Sequence, residues 1–283
     1  MNRPGWRLAL PGLGWLALWA GVPFLIVVAY SFMARGIYGG VERGFTLEHY
    51  AQLFDPLYLG IIGRTLVLAA AATVGCLLVG FPMAYVIVQS GRWRRVLLFL
   101  VVLPFWTSFL VRTYAMIFLL RDTGLVNSTL MGLGVIDAPL TLLYTPGAVL
   151  AGLIYGFLPF AILPIYASLE KLDPTLLEAA EMLGARPATG FWRVTLPLTM
   201  PGVVAGGLLV FIPALGSFLT PDLLGGAKTT LLGNLVQNQF TTGRDWPFGA
   251  AASVLLLAGT FVALLWHLRR SPAGGSTLAD RPR

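Results

Sequence analysis

The sequence predicts an all-α polytopic membrane protein that forms a single domain over residues 1–283. Hydrophobic residues make up 57% of the chain and charged residues 11%, and the mean hydropathy is +0.80, so the chain is more apolar than a soluble domain of this size. Six stretches reach or approach the roughly 20 apolar residues that cross about 30 Å of hydrocarbon. Helices are expected because isolated strands leave backbone groups unpaired in lipid. The predicted spans are residues 8–32, 65–88, 96–120, 146–168, 202–219 and 247–268.

The first span also has features of a secretory signal peptide. Arg3 and Arg7 precede its apolar run, and Ala29-Tyr30-Ser31 is an acceptable cleavage pattern. However, the run from residue 8 to residue 32 is longer than the apolar core of a typical signal peptide. We therefore expect an uncleaved first span.

The loops that follow the first and third spans are predicted to lie outside and to contain short helices. In residues 45–60, apolar residues recur at helical spacing between polar ones, which is typical of a helix on a membrane surface. Residues 121–144 are rich in glycine and leucine and are expected to form short helices and turns. Asn127 begins a glycosylation acceptor pattern, but a pattern of three residues carries no weight.

Small residues at a spacing of four predict close helix packing in the later spans. The pairs are Gly152 with Gly156 and Gly202 with Gly206. Prolines inside the spans remove backbone donors and bend helices, which suits a pathway that opens alternately to two sides, although prolines are also common in membrane helices. These prolines are Pro104, Pro159, Pro164 and Pro213.

The net charge of +7 raises the question of a nucleic-acid partner, and the positions of the basic residues answer it. If both termini are cytoplasmic, twelve of the nineteen Lys and Arg residues fall in cytoplasmic segments, five in outer loops, and Arg64 and Arg112 at or within spans. This bias follows the positive-inside rule. It explains the basicity without nucleic acid and predicts a multi-pass protein surrounded by membrane lipid.

The cytoplasmic loop at about residues 170–197 is predicted to form a short helical hairpin at the membrane surface. Asp173 can cap a helix whose first residue is Pro174, because the carboxylate accepts backbone N–H groups and proline has no N–H to leave unpaired. Gly184 then provides the helix stop. Two alanines beside two glutamates give this helix a narrow face that suits docking into a groove.

This loop resembles the EAA loop of ABC-importer permeases. The family pattern is Glu-Ala-Ala, three residues, Gly, nine residues, an aliphatic residue, one residue and then Leu-Pro. A match at seven positions with fixed spacing is far more specific than an isolated EAA triplet, and the alternative is an ordinary connector between two spans. The matching residues are Glu178, Ala179, Ala180, Gly184, Val194, Leu196 and Pro197.

The sequence contains no pattern typical of a metal or acid–base centre. The predicted spans hold no His-Glu-x-x-His motif, cysteine cluster or carboxylate pair at catalytic spacing. The lone Cys76 lies within the second span, cannot form an internal disulfide and is expected to serve packing. Residues 225–230 superficially resemble a phosphate loop, but Ala227 replaces the final glycine and Asp222 an earlier one. We expect no ATP hydrolysis by this chain.

The carboxyl half is similar to the spermidine/putrescine branch of these permeases. This resemblance implies the type I ABC importer permease fold and a translocation subunit of the bacterial inner membrane rather than an enzyme. It runs from the first span to the sixth and is specific for the permease family, less so for the polyamine branch. The segments that carry it are residues 103–115, 140–150, 211–226, 233–240 and 245–251.

The resemblance also implies partners. These are two cytoplasmic ATPase subunits, which bind ATP and Mg, a second homologous permease chain and a periplasmic substrate-binding protein; no cofactor is expected in this chain. ATP-driven closure of the ATPase pair would rock the spans between two openings. Arg186 and Arg193 either contact the ATPase or only satisfy the positive-inside bias. The expected coupling residues are Glu178, Ala179, Ala180, Gly184, Arg186, Leu196 and Pro197.

A polyamine carries several ammonium groups, which favour carbonyl oxygens, aromatic faces and carboxylates. Asp222, at the outer end of the fifth span, is the acid best placed for such a pathway, with Trp106, Phe211 and Phe218 as aromatic contacts. Alternatively, Asp222 caps the outer loop and the phenylalanines face lipid or pack.

Other cargoes of related permeases are ferric iron, thiamine, sulfate and opines. A membrane enzyme or receptor without an ATPase partner would need a catalytic constellation that the spans lack.

Overall fold

A computed structural model describes residues 5–226 and 229–270, and most of these residues are helical, as the fold class predicts. Residues Arg3 and Ala227 of the sequence predictions lie outside this range. In chain order the helices are α1 (Gly5–Leu16), α2 (Val22–Tyr30), α3 (Glu48–Leu53), α4 (Pro56–Gln89), α5 (Arg94–Val102), α6 (Phe109–Leu120), α7 (Leu125–Gly132), α8 (Pro146–Glu170), α9 (Thr175–Met182), α10 (Pro187–Gly190), α11 (Leu196–Leu215), α12 (Leu232–Phe240) and α13 (Trp246–Arg270). The 3₁₀ or π-helical turns that link several of them are Ala17–Gly21, Gly91–Trp93, Leu103–Trp106, Phe191–Thr195 and Pro221–Gly225.

Four helical stretches are long and apolar enough to cross a membrane, and they correspond to the first, second, fourth and fifth predicted spans. They are Leu10–Tyr30, Pro56–Gln89, Pro146–Glu170 and Pro187–Leu215. A bent pair, Gly91–Trp106 with Phe109–Gly132, would be a fifth. In α13 the described apolar part is the shorter Trp246–Val262. The described residues therefore establish four or five such helices, and the count of six stays a prediction.

The third predicted span, residues 96–120, is not one continuous helix. Its two arms meet at 94°, and Thr107 has the extended angles φ −91° and ψ 145°. The carbonyl oxygen of Pro104 accepts both the N–H of Thr107, at 3.2 Å, and its hydroxyl, at 2.7 Å. These bonds close the first arm, and the chain restarts as α6. The fifth predicted span also ends early, because α11 stops at Leu215 rather than at residue 219.

An antiparallel β-hairpin, absent from the predictions, lies between α2 and α3. Its strands are β1 (Met33–Arg35) and β2 (Val41–Phe45), and their register is irregular after the first pair. Gly39 and Gly40 turn the chain with φ of +89° and +81°, values that glycine adopts without strain. The surface helix predicted over residues 45–60 is thus divided between the end of β2, the short α3 and the start of α4.

The segment 121–144 folds into one short helix, α7, and turns, as predicted. Asn127 is fully buried on α7. Its amide nitrogen donates to the carbonyl oxygen of Leu140 at 2.9 Å, and its amide oxygen accepts the N–H of Leu140 at 2.9 Å. Asn127 therefore closes this loop, and its burial leaves no room for a glycan.

The chain divides into two compact units, one made of the segments up to Leu59 and from Leu235, and the other of Gly60–Asn234. The prediction of a single domain stays a prediction. In the first unit, α2, β1 and α3 pack against α13. Arg35 Nη1 lies 3.3 Å from Asp245 Oδ2, so the hairpin is joined to the start of α13 by an ion pair.

In the second unit, α8 packs along α11, and glycines make the contact close. A Cβ atom added at Gly202 would lie 2.5 Å from the carbonyl oxygen of Pro164, and one added at Gly206 would lie 3.0 Å from that of Ala161. Since real Cβ atoms essentially never approach closer than 3.0 Å, only glycine fits at residue 202. The predicted role of these glycines in helix packing is confirmed.

Candidate functional site

The loop predicted at residues 170–197 forms a helical hairpin whose first arm is α9. Oδ1 of Asp173 accepts the hydroxyl of Thr175 at 2.8 Å and the N–H of Thr175 at 3.0 Å. These two hydrogen bonds, the hydroxyl first, hold the pKa of Asp173 below its ordinary 3.8 because they favour the charged carboxylate. Asp173 therefore accepts a backbone N–H as predicted, but α9 begins one residue later than predicted, at Thr175, and its N-cap residue is Pro174.

Gly184 ends α9, as predicted. Its φ is +81°, its N–H donates to the carbonyl oxygen of Glu181 at 2.9 Å, and the N–H of Ala185 donates to that of Ala180 at 3.0 Å. This pair of bonds is the Schellman motif. In the described part of the chain, a Cβ atom added at residue 184 would meet no neighbouring atom within 4 Å. Glycine is therefore favoured here by the left-handed backbone and not by lack of space.

The surface of α9 is open. Glu178 and Ala179 are exposed, and Ala180 is half-buried. Sequence reasoning missed the two residues before the stop: Met182 is 91% exposed and Leu183 is 89% exposed. The sequence contains no distinct signal for this pair, because large apolar residues also occur earlier in α9, at Leu176 and Leu177. The α9 face and this apolar tip together form a surface that suits a protein groove.

The second arm of the hairpin continues directly into the membrane helix. Arg186 is exposed and extended, with φ −68° and ψ 153°, and α10 begins at the next residue. From there the chain stays helical to Leu215 through a π-helical turn. A movement of α10 would therefore be transmitted to α11 through one continuous helix.

The last two predicted coupling residues lie at the start of α11. Leu196 packs against a buried cluster that includes Phe81 and Ile162, whereas Pro197 is exposed. The structure thus brings Glu178, Ala179, Ala180 and Gly184 together on one arm and places Leu196 at the membrane end of the other. Of the seven predicted coupling residues, five are exposed, whereas Ala180 and Leu196 are half-buried.

Two of the four predicted pathway residues lie side by side. The N–H of Asp222 donates to the carbonyl oxygen of Phe218 at 3.0 Å, and both residues are exposed. Nδ2 of the buried Asn234 donates to the same carbonyl at 2.8 Å and fixes the turn. Trp106 is 75% exposed and packs edge-on to Phe99 with ring centroids 5.7 Å apart. Phe211 lies half-buried on α11.

Arg112 is the polar residue that sequence reasoning recorded without assigning a role. It follows the bend by one turn, and its guanidinium carbon lies 5.3 Å from the ring centroid of Phe105 and 5.5 Å from that of Phe109. Its Nε is buried without a hydrogen-bond partner among the described residues. An arginine inside an apolar span was the signal, because a charge there is costly unless it is compensated. Here two aromatic faces contact it.

No group of three metal-binding side chains occurs in the described part of the chain.

A family model described as "Binding-protein-dependent transport system inner membrane component" matches residues 76–269. This chain belongs to that family. The permease is 45% identical over 261 residues to the spermidine/putrescine transport system permease protein PotB of Salmonella typhimurium strain SL1344, with 91% of each chain covered. It is 44% identical to PotB of Escherichia coli K12, with 91% of this chain and 95% of the relative covered.

The permease also shares its fold with a chain of a solved transporter. That structure is a bacterial alginate ABC transporter in complex with an alginate pentasaccharide-bound periplasmic protein, and the TM-score is 0.72 at 20% identity, with 94% of this chain and 93% of that chain covered. At this identity the likeness concerns the fold alone. The ABC importer permease fold expected from the sequence is confirmed.

Proposed function

We propose that this permease imports spermidine and putrescine as one transmembrane subunit of an ATP-driven ABC importer. The observation that carries the proposal is the 45% identity with a spermidine/putrescine permease over 91% of both chains. Identity of this extent includes the membrane helices as well as the loop. The membrane helices as well as the loop motif therefore support the assignment of spermidine and putrescine as the cargo.

Two cytoplasmic ATPase subunits bind ATP and Mg in this proposal, a second homologous permease chain completes the pathway, and a periplasmic protein delivers the polyamine. Both termini lie in the cytoplasm. The bent pair of α5 and α6 and the helix α13 serve as the third and sixth spans. Support comes from the charge bias of the loops and from the length of the apolar helices.

The hairpin is the site at which the ATP-driven movement of the ATPase subunits is transmitted to this chain. Ala179 and Ala180 let α9 approach the floor of an ATPase groove, Glu178 pairs with a basic or polar side chain there, and the apolar tip at Met182 and Leu183 becomes buried. The second arm of the hairpin, α10, forms one continuous helix with α11. Closure of the ATPase pair therefore pulls on the fifth span through this helix.

Asp222 and Phe218 form a contact point for the ammonium groups of the cargo in this proposal. The carboxylate supplies a countercharge, and the exposed ring supplies a cation–π face. Trp106 and Phe211 are further aromatic contacts on the pathway. Replacement of Asp222 by Asn should raise KM for spermidine more than for putrescine, since spermidine carries one more charge.

The cargo is tested by uptake of labelled spermidine and putrescine in cells with and without this gene. Complementation with the intact chain should restore the uptake of at least one polyamine. The same cells should be assayed with ferric iron, thiamine and sulfate as controls. Unchanged polyamine uptake, together with loss of another solute, would assign the permease to that other cargo.

The coupling role is tested separately by Glu178→Lys. This variant should insert in the membrane at the normal level but lose polyamine uptake and substrate-stimulated ATP hydrolysis. Glu181→Lys is the matched control, because it makes the same charge reversal on the same exposed helix outside the motif. Normal uptake in Glu178→Lys would reject the coupling assignment, and equal losses in both variants would assign the effect to the net charge of the loop.

A further inference from the structure

Two cavities of opposite character lie next to each other in the second unit. One is an apolar crevice of about 550 Å³ between α4, α5 and α8. The other is a basic pocket of about 670 Å³ at the α4–α5 turn. Neither contains a residue that the polyamine pathway or the coupling hairpin uses. The basic pocket is lined by Gly91, Arg92, Arg94, Arg95, Tyr166 and Glu170, together with Leu98.

The two cavities follow one another along the same helices. On α8, the crevice residue Ile162 lies one turn from Tyr166 of the basic pocket, and on α5 the crevice residue Leu97 adjoins Leu98 of the pocket. From Tyr155 to Ile162 the crevice extends along seven residues of α8, or about 10 Å. That length fits within the roughly 15 Å of one hydrocarbon leaflet.

The basic pocket carries excess positive charge. Arg94 forms an ion pair with Glu170 and a hydrogen bond to the hydroxyl of Tyr166, which leaves Arg92 and Arg95 exposed around the same space. In addition, α5 starts with two arginines, so their charge adds to the positive end of the helix dipole rather than opposing it. An anion is the ligand that this arrangement favours.

The position of the pocket suits the polar boundary of a membrane. It lies at the ends of α4 and α8, both long enough to span. Trp93, which is 58% exposed, has the guanidinium of Arg92 6.0 Å from its ring. Tryptophan and arginine beside one another are typical of the headgroup level, and basic pockets between membrane helices bind anionic headgroups.

We propose that these cavities form a binding site for one anionic phospholipid. The phosphate lies between Arg92 and Arg95, and one acyl chain occupies the crevice against Leu100 and Ile162. The site shares no lining residue with the predicted cargo contacts or the predicted coupling residues. The bound lipid lies between α4, α5 and α8 and so supports the first arm of the bent third span.

The site is tested by native mass spectrometry of the full-length chain in detergent, titrated with dioleoyl phosphatidylglycerol or dioleoyl phosphatidylcholine. The intact chain should retain one phosphatidylglycerol in preference to phosphatidylcholine. The double variant Arg92→Gln/Arg95→Gln should bind phosphatidylglycerol about 30-fold more weakly, as two surface arginines predict. The matched control Arg43→Gln/Arg121→Gln removes two exposed arginines elsewhere and should bind as the intact chain does.

The acyl chain is tested by filling the crevice. Leu100→Trp should weaken retention of dioleoyl phosphatidylglycerol, whereas Leu110→Trp, an exposed leucine outside the crevice, should not. Dihexanoyl phosphatidylglycerol should bind more weakly than the long-chain lipid. The proposal would be overturned if dihexanoyl and dioleoyl phosphatidylglycerol bound equally, or if inorganic phosphate competed with the lipid. It would also be overturned if the two double arginine variants lost the same affinity.

The alternative occupant of the crevice is a helix of a second protein chain. A photo-crosslinking side chain at residue 100, activated in intact membranes, distinguishes the two and does not depend on folding in detergent. Crosslinks to lipid are expected. A crosslink to another protein chain in place of lipid would show that the crevice is a subunit interface and would reject the phospholipid site.

Discussion

The α8–α11 contact and the α9 hairpin use small residues in opposite surroundings. Gly202 and Gly206 are buried and let two helices of the same chain meet. Ala179 and Gly184 are exposed, and a Cβ atom added at Gly184 would meet no neighbouring atom of the described residues within 4 Å. Small residues therefore mark a contact between two helices of the chain in one region and an exposed surface in the other. Substitution of the buried glycines should lower stability most, whereas substitution on the exposed face of α9 should change activity more than stability.

The largest effect is expected from Gly202→Leu. The added side chain would collide with the Pro164 carbonyl and Ser168, and such overpacking costs about 3 kcal/mol or more. The level of folded, monodisperse protein and its melting temperature in detergent should fall sharply. Gly259→Leu is the matched control, because among the described residues no neighbouring atom lies within 4 Å of a Cβ atom added at Gly259. Equal melting temperatures for the two variants would contradict the packing comparison.

A smaller loss of stability is expected from Gly184→Ala. Space is available, but the left-handed backbone at φ +81° costs an alanine about 1 to 2 kcal/mol. The amides of Ala185 and Gly184 should exchange with deuterium faster, while those of α8 and α11 stay unchanged. Unaltered exchange in the hairpin would mean that the Schellman turn does not hold α9.

The Asp173 cap should depend on pH. Its pKa is below the ordinary 3.8 in the folded chain because Thr175 donates two hydrogen bonds to it. The stabilisation is therefore complete above the unfolded pKa and is lost as the pH falls through the lower, folded pKa. Hydrogen exchange at Thr175 should report this loss below pH 3.8. Asp173→Asn, which keeps an acceptor oxygen without a charge, should remove the pH dependence.

The smallest change in stability is expected from Ala179→Leu. The residue is exposed, so the free energy of unfolding should shift by less than about 0.5 kcal/mol. Polyamine uptake should nevertheless fall, because the larger side chain keeps α9 out of the ATPase groove. A pull-down of the ATPase with the variant measures the docking itself. Full uptake with Ala179→Leu would show that this face is not covered by a partner.

Local rules account for the parts that the sequence predicted best. The apolar runs of four helices, the cap at Asp173 and the stop at Gly184 each depend on neighbours within a few residues, so they could be read from the chain. The close packing of Gly202 and Gly206 could also be predicted, since their spacing places both on one helix face. Their partners, Pro164 and Ala161, could not.

The parts that were missed depend on contacts between distant residues. Pro104 gave a reason for a bend, but the size of that bend depends on how α6 and α8 pack beyond it. The split of residues 45–60 follows from the hairpin, in which Arg35 meets Asp245 about two hundred residues later in the sequence. The exposure of Met182 and Leu183 could only be known once the hairpin had formed, because the same apolar pair would be buried in another loop.

The sequence by itself determined a membrane protein with long apolar helices, a capped hairpin and membership of the permease family, because hydropathy, capping and motif spacing are properties of adjacent residues. Tertiary structure alone decided which glycines are covered, how Arg35 meets Asp245, and how Tyr166 and Glu170 of α8 come to line the pocket beside the arginines that precede and begin α5. These features arise when helices far apart in the chain pack together, and a linear pattern does not contain the distances between them.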